Sequence, residues 1–280
     1  MSVRPKKGLG QHFLADPEAV RRVVDAVRAP ERAQVVEIGP GEGALTGSLL
    51  RQYPNLIALE VDREAIAHLE RRYPELDVRE QDVLTVDWPR LGTEAGALTA
   101  QPVAPSPRLH VVGNLPYYIT SPILFALLDA REHVARAVVM VQKEVADRIA
   151  AGPGSKTYGT LSVYFSLYAR TELLFDVGRE AFRPPPKVES AVVAIDFEGA
   201  PDPGVAFEAL QRVVRAAFGQ RRKMLRNSLK PLAAESGREV PKWAATLRPE
   251  QVAPADFVRL AHHFLSPIAP ASGPSPSARD

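Results

Sequence analysis

Short apolar runs alternating with amphipathic stretches constrain this chain more than any other feature. "QVVEI" (34–38) reads as a buried strand and "ALTGSLLRQ" (44–52) as the helix that follows it. The pattern repeats with strand "LIALEV" (56–61), helix "REAIAHLERRY" (63–73) and strand "DVREQDV" (77–83). "RLHVVGN" (108–114) and a helix near 121–130 make a further unit, and "ARAVVMVQ" (135–142) with "KEVADRIAA" (143–151) another. An earlier helix, "PEAVRRVVDAVR" (17–28), has Asp16 as its cap and Pro17 in its first turn. "TLSVYFSLYARTELLFDV" (160–177) and "ESAVVAIDF" (189–197) close the series as two strands without a helix between them. An antiparallel pair is expected at that edge. Repeated βα units predict an α/β fold, a doubly wound sheet with helices on both faces.

Three stretches interrupt the pattern. "GTEAGALTAQPVAPSP" (92–107) is rich in Ala, Pro and Gly and reads as a flexible insertion. "EGAPDPG" (198–204) reads as a boundary, so a first domain is expected over 1–198. Beyond it Phe207, Leu210, Val214 and Phe218 recur at helical spacing, predicting a small helical domain over 204–266. Residues 267–280 read as a disordered tail.

Composition mainly excludes. The chain has no cysteine, which rules out disulfides, thiolate zinc sites and thiol nucleophiles. No run approaches a membrane span, the N-terminus lacks the apolar core of a secretory signal, and a cytoplasmic setting is expected. Net charge is only +2 over 280 residues, so the distribution of charge must identify partners.

In "VVEIGPGEGALT", Gly39, Gly41 and Gly43 stand between a strand and a helix, where glycines let the backbone turn tightly and approach a nucleotide-like ligand. The dinucleotide fingerprint is only partly met. The shorter E-x-G-x-G-x-G form resembles the first motif of S-adenosylmethionine (SAM) methyltransferases. Glu60 ends the second strand, where a carboxylate can accept both ribose hydroxyls of a nucleoside. Asp82, ending the third, can accept from an adenine amine while Val83 packs the ring.

"NLPY" (114–117) follows the next strand. Thr120 or Ser121 is expected to cap the helix after it, with Pro122 in the first turn. An aromatic amine is a poor nucleophile because its lone pair is delocalised into the ring. Two acceptors, the Asn114 side-chain oxygen and a backbone carbonyl, can hold such an amine nearer sp³ and free the pair for in-line attack. Pro116 biases Leu115 toward an extended conformation that aims the carbonyl. Tyr117 offers a ring for a flipped base. In "EAFRPPPKVES" (180–190), Phe182 is expected to lean a second aromatic over that base. Residues 212–230 carry seven Arg or Lys and no acid, a footprint for phosphate in which Arg221, Arg222 and Lys223 are the expected RNA contacts. Arg4, Lys6 and Lys7 are the alternative surface.

Taken in order, "KKGLGQHFL", "VVEIGPGEGALT", "LEVD", "EQDVL", "NLPYYITSPIL", "FRPPPKVES" and "FGQRRKMLRNSL" resemble the rRNA adenine N6,N6-dimethyltransferase family of small-subunit ribosomal RNA, from residue 4 to about 265. The resemblance implies a Rossmann-like seven-stranded SAM-dependent methyltransferase domain with a small helical C-terminal domain. It implies S-adenosyl-L-methionine as cofactor, without a metal, and dimethylation of two adjacent adenines near the 3′ end of small-subunit rRNA, in the 30S particle. His12, Leu14, Gly39, Glu60, Asp82 and Asn114 would line the SAM site, with Asn114, Tyr117 and Phe182 handling the base. A monomer without membrane attachment is expected. His12 departs from the family, in which Asn is common there, and the 92–107 insertion is longer than expected. The rival readings are a large-subunit rRNA methyltransferase of the macrolide-resistance type, a non-catalytic ribosome-assembly or transcription factor on the same fold, and a DNA adenine methyltransferase.

Overall fold

The computed structural model describes residues 11–30, 32–98 and 108–265, without the side chains of 95–98. Arg4, Lys6, Lys7, the insertion from residue 99 to 107 and the 267–280 tail lie outside them.

Two compact units divide after Asp202. The first begins with β1 (Phe13–Leu14) and α1 (Pro17–Val27), then β2 (Val35–Ile38), α2 (Thr46–Gln52), β3 (Leu56–Glu60), α3 (Arg63–Arg72) and β4 (Asp77–Glu80). It continues with α4 (Trp88–Leu98), β5 (Leu109–Asn114), α5 (Thr120–Asp129), β6 (Val134–Gln142), α6 (Lys143–Ala150) and α7 (Thr160–Tyr168). β7 (Arg170–Val177), β8 (Phe182–Arg183) and β9 (Ser190–Asp196) complete it.

Seven strands form one sheet in the order β4-β3-β2-β5-β6-β9-β7, parallel except that β9 runs antiparallel to β6 and β7. The expected α/β architecture is therefore present, with β9 inserted between β6 and the edge strand. Covering both faces requires the inner strands to be largely apolar, and all four residues of β2 and all five of β3 are buried, Glu37 and Glu60 included. At the edge, β7 is mostly accessible. α1 shows how a helix joins this layer: the Asp16 carboxylate accepts the Glu18 N–H at 2.9 Å, and Ala19, Val23, Val24 and Val27 form its buried stripe. Val23, Val24 and Val27 share a core cluster with Leu49, Leu56 and Val138.

Three local expectations are corrected. Residues 160–168 are helix, not strand, and only 170–177 extend. α7 is buried on nearly every side, at Leu161, Val163, Tyr164 and Phe165 among others, so it lacks the polar stripe that marks a helix in sequence. Residues 92–98 continue α4, because Ala and Leu sustain a helix that two glycines weaken but do not stop. Ile119 precedes α5 with no side-chain cap, since the Thr120 hydroxyl donates back to the Pro116 carbonyl at 2.9 Å.

The second unit is helical: α8 (Phe207–Phe218), α9 (Leu225–Ser228), α10 (Lys230–Ser236), α11 (Lys242–Ala245) and α12 (Pro254–Leu265). Leu210, Val213, Val214 and Ala217 bury one face of α8, and Phe257, Leu260, Ala261 and Phe264 one face of α12. Phe218 stacks on Phe257 with ring centroids 5.7 Å apart.

Candidate active site

Strand order reverses between β2 and β5, and in open α/β sheets the crevice at such a reversal is where ligands bind. A cavity of about 270 Å³ opens there. The segments that leave the carboxyl ends of β2, β3, β4 and β5 all contribute to it, through Gly39 and Gly41, Glu60, Asp82 and Val83, and Asn114 to Tyr117.

Glu60 is 6% exposed, so the strand end is no solvated acid. Its Oε1 accepts the N–H groups of Val61 (2.8 Å) and Asp62 (2.9 Å), and its Oε2 that of Gly41 (3.1 Å). Three main-chain donors fix the carboxylate and compensate its burial; Oε1 takes two of them, and Oε2, which takes one, keeps accepting capacity toward the cavity. Gly41 is where a side chain is least tolerable. A Cβ there would lie 2.7 Å from the Phe13 ring, and its φ is +59°. β1 therefore lies tight against the glycine loop. Gly43 does not border the cavity; a Cβ there would press on Leu69 and Tyr73, so this glycine serves the packing of α3.

Asp82 Oδ1 accepts the Leu84 N–H at 2.9 Å, which caps the short turn over Val83–Thr85 and leaves Oδ2 for a ligand. Val83 is 7% exposed and lines the cavity as an apolar wall.

At the end of β5 the Asn114 Nδ2 donates to the His12 carbonyl at 2.9 Å. That bond uses one of the two N–H groups and fixes the carboxamide with Oδ1 left as acceptor. Leu115 is buried, and its N–H donates to the Met140 carbonyl at 3.0 Å. The Pro116 carbonyl is taken by the Thr120 hydroxyl and the Ile119 N–H, which leaves the Leu115 carbonyl as the tetrapeptide's main-chain acceptor. The Tyr117 hydroxyl bonds Ser190 Oγ at 2.6 Å, and burial pushes the phenol pKa up, so it stays protonated. The His12 ring stacks on Tyr117, centroids 5.6 Å apart and 27° between planes, and its Nδ1–H donates to the Pro184 carbonyl at 2.7 Å.

Phe182 and Leu14 stand elsewhere. They face each other across the antiparallel β1–β8 pair, and both belong to the buried cluster, 1% and 3% exposed. Directly opposed residues in such a pair share one face. Phe182 therefore points with Leu14 into the core, and it does not border the cavity that holds Tyr117. The expectation of a second ring over the base is corrected: alternation on a two-residue strand turns it inward. Leu14 does not border that cavity either, although it lines a small recess with Gly39 and Asn114.

Arg221, Arg222 and Lys223 are exposed and lie in the turn between α8 and α9, not on a helix face. The basic run is less bare of acid than its sequence suggests, because Arg212 pairs with Glu235 of α10 at 2.5 Å. Among the described residues no group of acids and histidines could hold a metal ion, and no helix is long and apolar enough to cross a membrane.

Glu37 was not anticipated, although it is the first letter of E-x-G-x-G-x-G. It is 1% exposed in the centre of β2, accepts the Thr46 hydroxyl at 2.8 Å, and borders a small recess with Gly39 and Asn114. Burial pushes its pKa up to about 8, opposed by the Thr46 hydroxyl and reinforced by the charge of Glu60. A carboxyl with a raised folded pKa gives its full stabilisation below its unfolded value and loses it as pH rises through about 8. Relative to Glu37→Gln, the wild-type chain should therefore lose stability progressively from about pH 5 to pH 8. Parallel denaturation curves for both proteins across that range would show it; two curves with the same pH dependence would mean that Glu37 is ionised in the fold.

A model of the "Ribosomal RNA adenine dimethylase" family matches residues 3–263. The chain is 46% identical over 262 residues to "Ribosomal RNA small subunit methyltransferase A" of Salinibacter ruber, covering 93% of this chain and 85% of the relative. The protein of the same name from Xanthomonas campestris pv. campestris is also 46% identical, over 93% and 97%. Among solved structures, a dimethyladenosine transferase from Plasmodium falciparum superposes with a TM-score of 0.70 at 24% identity, covering 90% of this chain and 97% of that one. The 23S rRNA methyltransferase ErmE does so with 0.59 at 24%, covering 90% and 99%. These two likenesses establish the fold.

Proposed function

Because the chain belongs to the ribosomal RNA adenine dimethylase family, we propose that it transfers methyl groups from SAM to N6 of two adjacent adenines in the 3′-terminal hairpin of 16S rRNA, during assembly of the small ribosomal subunit. The observation that carries this reading is the Asn114 carboxamide, anchored by its nitrogen at the carboxyl end of β5 with its oxygen left to accept.

The cavity suits a sulfonium nucleoside. Glu60 is a preorganised charged acceptor for the ribose hydroxyls, Asp82 and Val83 offer an acceptor and an apolar wall to a purine, and Gly39 and Gly41 let the main chain come close. Bound SAM supplies an electrophilic methyl group. The Asn114 Oδ1 and the Leu115 carbonyl accept from the two N–H bonds of the adenine amine and draw its lone pair out of conjugation. Tyr117, held by Ser190, stacks on the base. Arg221, Arg222 and Lys223 contact rRNA phosphates, and the helical unit serves the ribosomal particle. The same reading makes the protein a cytoplasmic monomer.

Glu60→Ala should weaken SAM binding about tenfold or more, since two ribose hydroxyls lose a charged acceptor. Titration calorimetry measures this directly, and unchanged affinity in a folded variant would remove Glu60 from the site. The function itself is tested with labelled SAM and undermethylated small subunits, followed by nucleoside analysis. Dimethyladenosine in the small-subunit RNA is expected. Label confined to large-subunit RNA, or no transfer at all, would overturn the reading.

A further inference from the structure

The strip "RPPPK" (183–187) directly follows Phe182, which faces the core. Its two cations have no assigned role. Arg183 and Lys187 are exposed, and neither side chain makes an ion pair or a hydrogen bond with another described residue. Other cations of this unit do have acid partners: Lys143 meets Asp176 at 2.7 Å and Arg63 meets Glu80 at 2.8 Å. Unneutralised charge at one place raises the local positive potential.

That place is tied to the catalytic end of the sheet. Arg183 lies opposite Phe13 in the β1–β8 ladder, and Phe13 borders the cofactor cavity. The next residue, Pro184, accepts the His12 N–H, and the His12 ring covers Tyr117. Three residues beyond Lys187, Ser190 bonds the Tyr117 hydroxyl. Both cations are thus within three residues of a contact to the base-stacking pair. The strip joining them holds three prolines and no acid, and Pro186 is buried, so the strip is ordered before anything binds.

We propose that Arg183 and Lys187 form a phosphodiester clamp that grips the nucleic-acid backbone beside the base held at Tyr117. The assignment rests on the reading that this chain acts on RNA, and it adds a contact point within the catalytic unit to the one proposed on the helical unit. Phosphate contacts set position without reading sequence, so the clamp orients the target nucleotide and leaves its identity to the cavity.

The test uses the full chain with both cations changed to alanine. Binding of small-subunit rRNA is measured across a salt series, and methyl transfer to undermethylated small subunits is measured in parallel. The double variant should show KM for the particle raised about tenfold and a log–log salt slope lower by about 1.4–1.8, the loss of two phosphate contacts. The SAM dissociation constant and kcat at saturating particle should stay within about twofold, and Arg183→Lys with Lys187→Arg should restore the slope. Unchanged KM and slope would overturn the clamp while leaving the methyltransferase reading intact. A slope difference between the two proteins, with no methyl transfer by the wild type, would support the clamp and overturn that reading.

Discussion

Asn114→Ala should reduce methyl transfer by about 10²–10³-fold at saturating SAM while the chain remains folded. The carboxamide has two separate duties in the structure. Its nitrogen is held by the His12 carbonyl, and its oxygen is the acceptor that the amine requires. Alanine removes both. Asn114→Asp keeps an acceptor but sets a carboxylate against the His12 carbonyl, which repels it, so this variant should also be slow. Single-turnover methyl transfer with saturating cofactor separates the chemical step from any change in SAM affinity. Turnover near that of the wild type would show that the amine is activated by some other group.

Phe182→Ala should cost about 3–5 kcal/mol of stability, the usual penalty for emptying a large aromatic site in a core. The ring is 1% exposed and packs with Leu14, Val177 and Ala181. Phe182→Leu fills much of the same volume and should recover most of the loss. Equilibrium denaturation measures both, and the leucine variant also discriminates. If the ring is a core element, Phe182→Leu retains turnover. If the ring stacks on the target base, Phe182→Leu is stable and slow.

Much of this was legible in the sequence because most of the sheet's inner strands are short apolar runs bounded by glycine, proline or an acid. The positions of Gly39, Glu60, Asp82 and Asn114 followed from those boundaries, since the ends of parallel strands are also where the cavity lies. α7 was misread for a physical reason: a helix buried on nearly every side has almost no period to detect. Phe182 was misplaced because proximity in a motif does not say which way a side chain faces, and β1, its partner, is too short to announce itself. Glu37 and Ser190 went unnoticed because a buried carboxyl and a buried hydroxyl look ordinary until Thr46 and Tyr117 are seen beside them.

The two-residue pairing of β1 with β8 has a consequence for the order of assembly. Phe13 meets Arg183 and Leu14 meets Phe182, so two ladder positions close a loop of most of the catalytic unit. Closing so long a loop carries a large entropic cost for a small gain in hydrogen bonding, which puts this step late in folding. Yet the same segment brings His12 to Asn114 and Tyr117, and Phe13 to Gly41. The parallel sheet can therefore be complete in a chain that is still incompetent. Heat or mild denaturant should abolish activity before it erodes the strand content, because the last part to assemble is the first to come away.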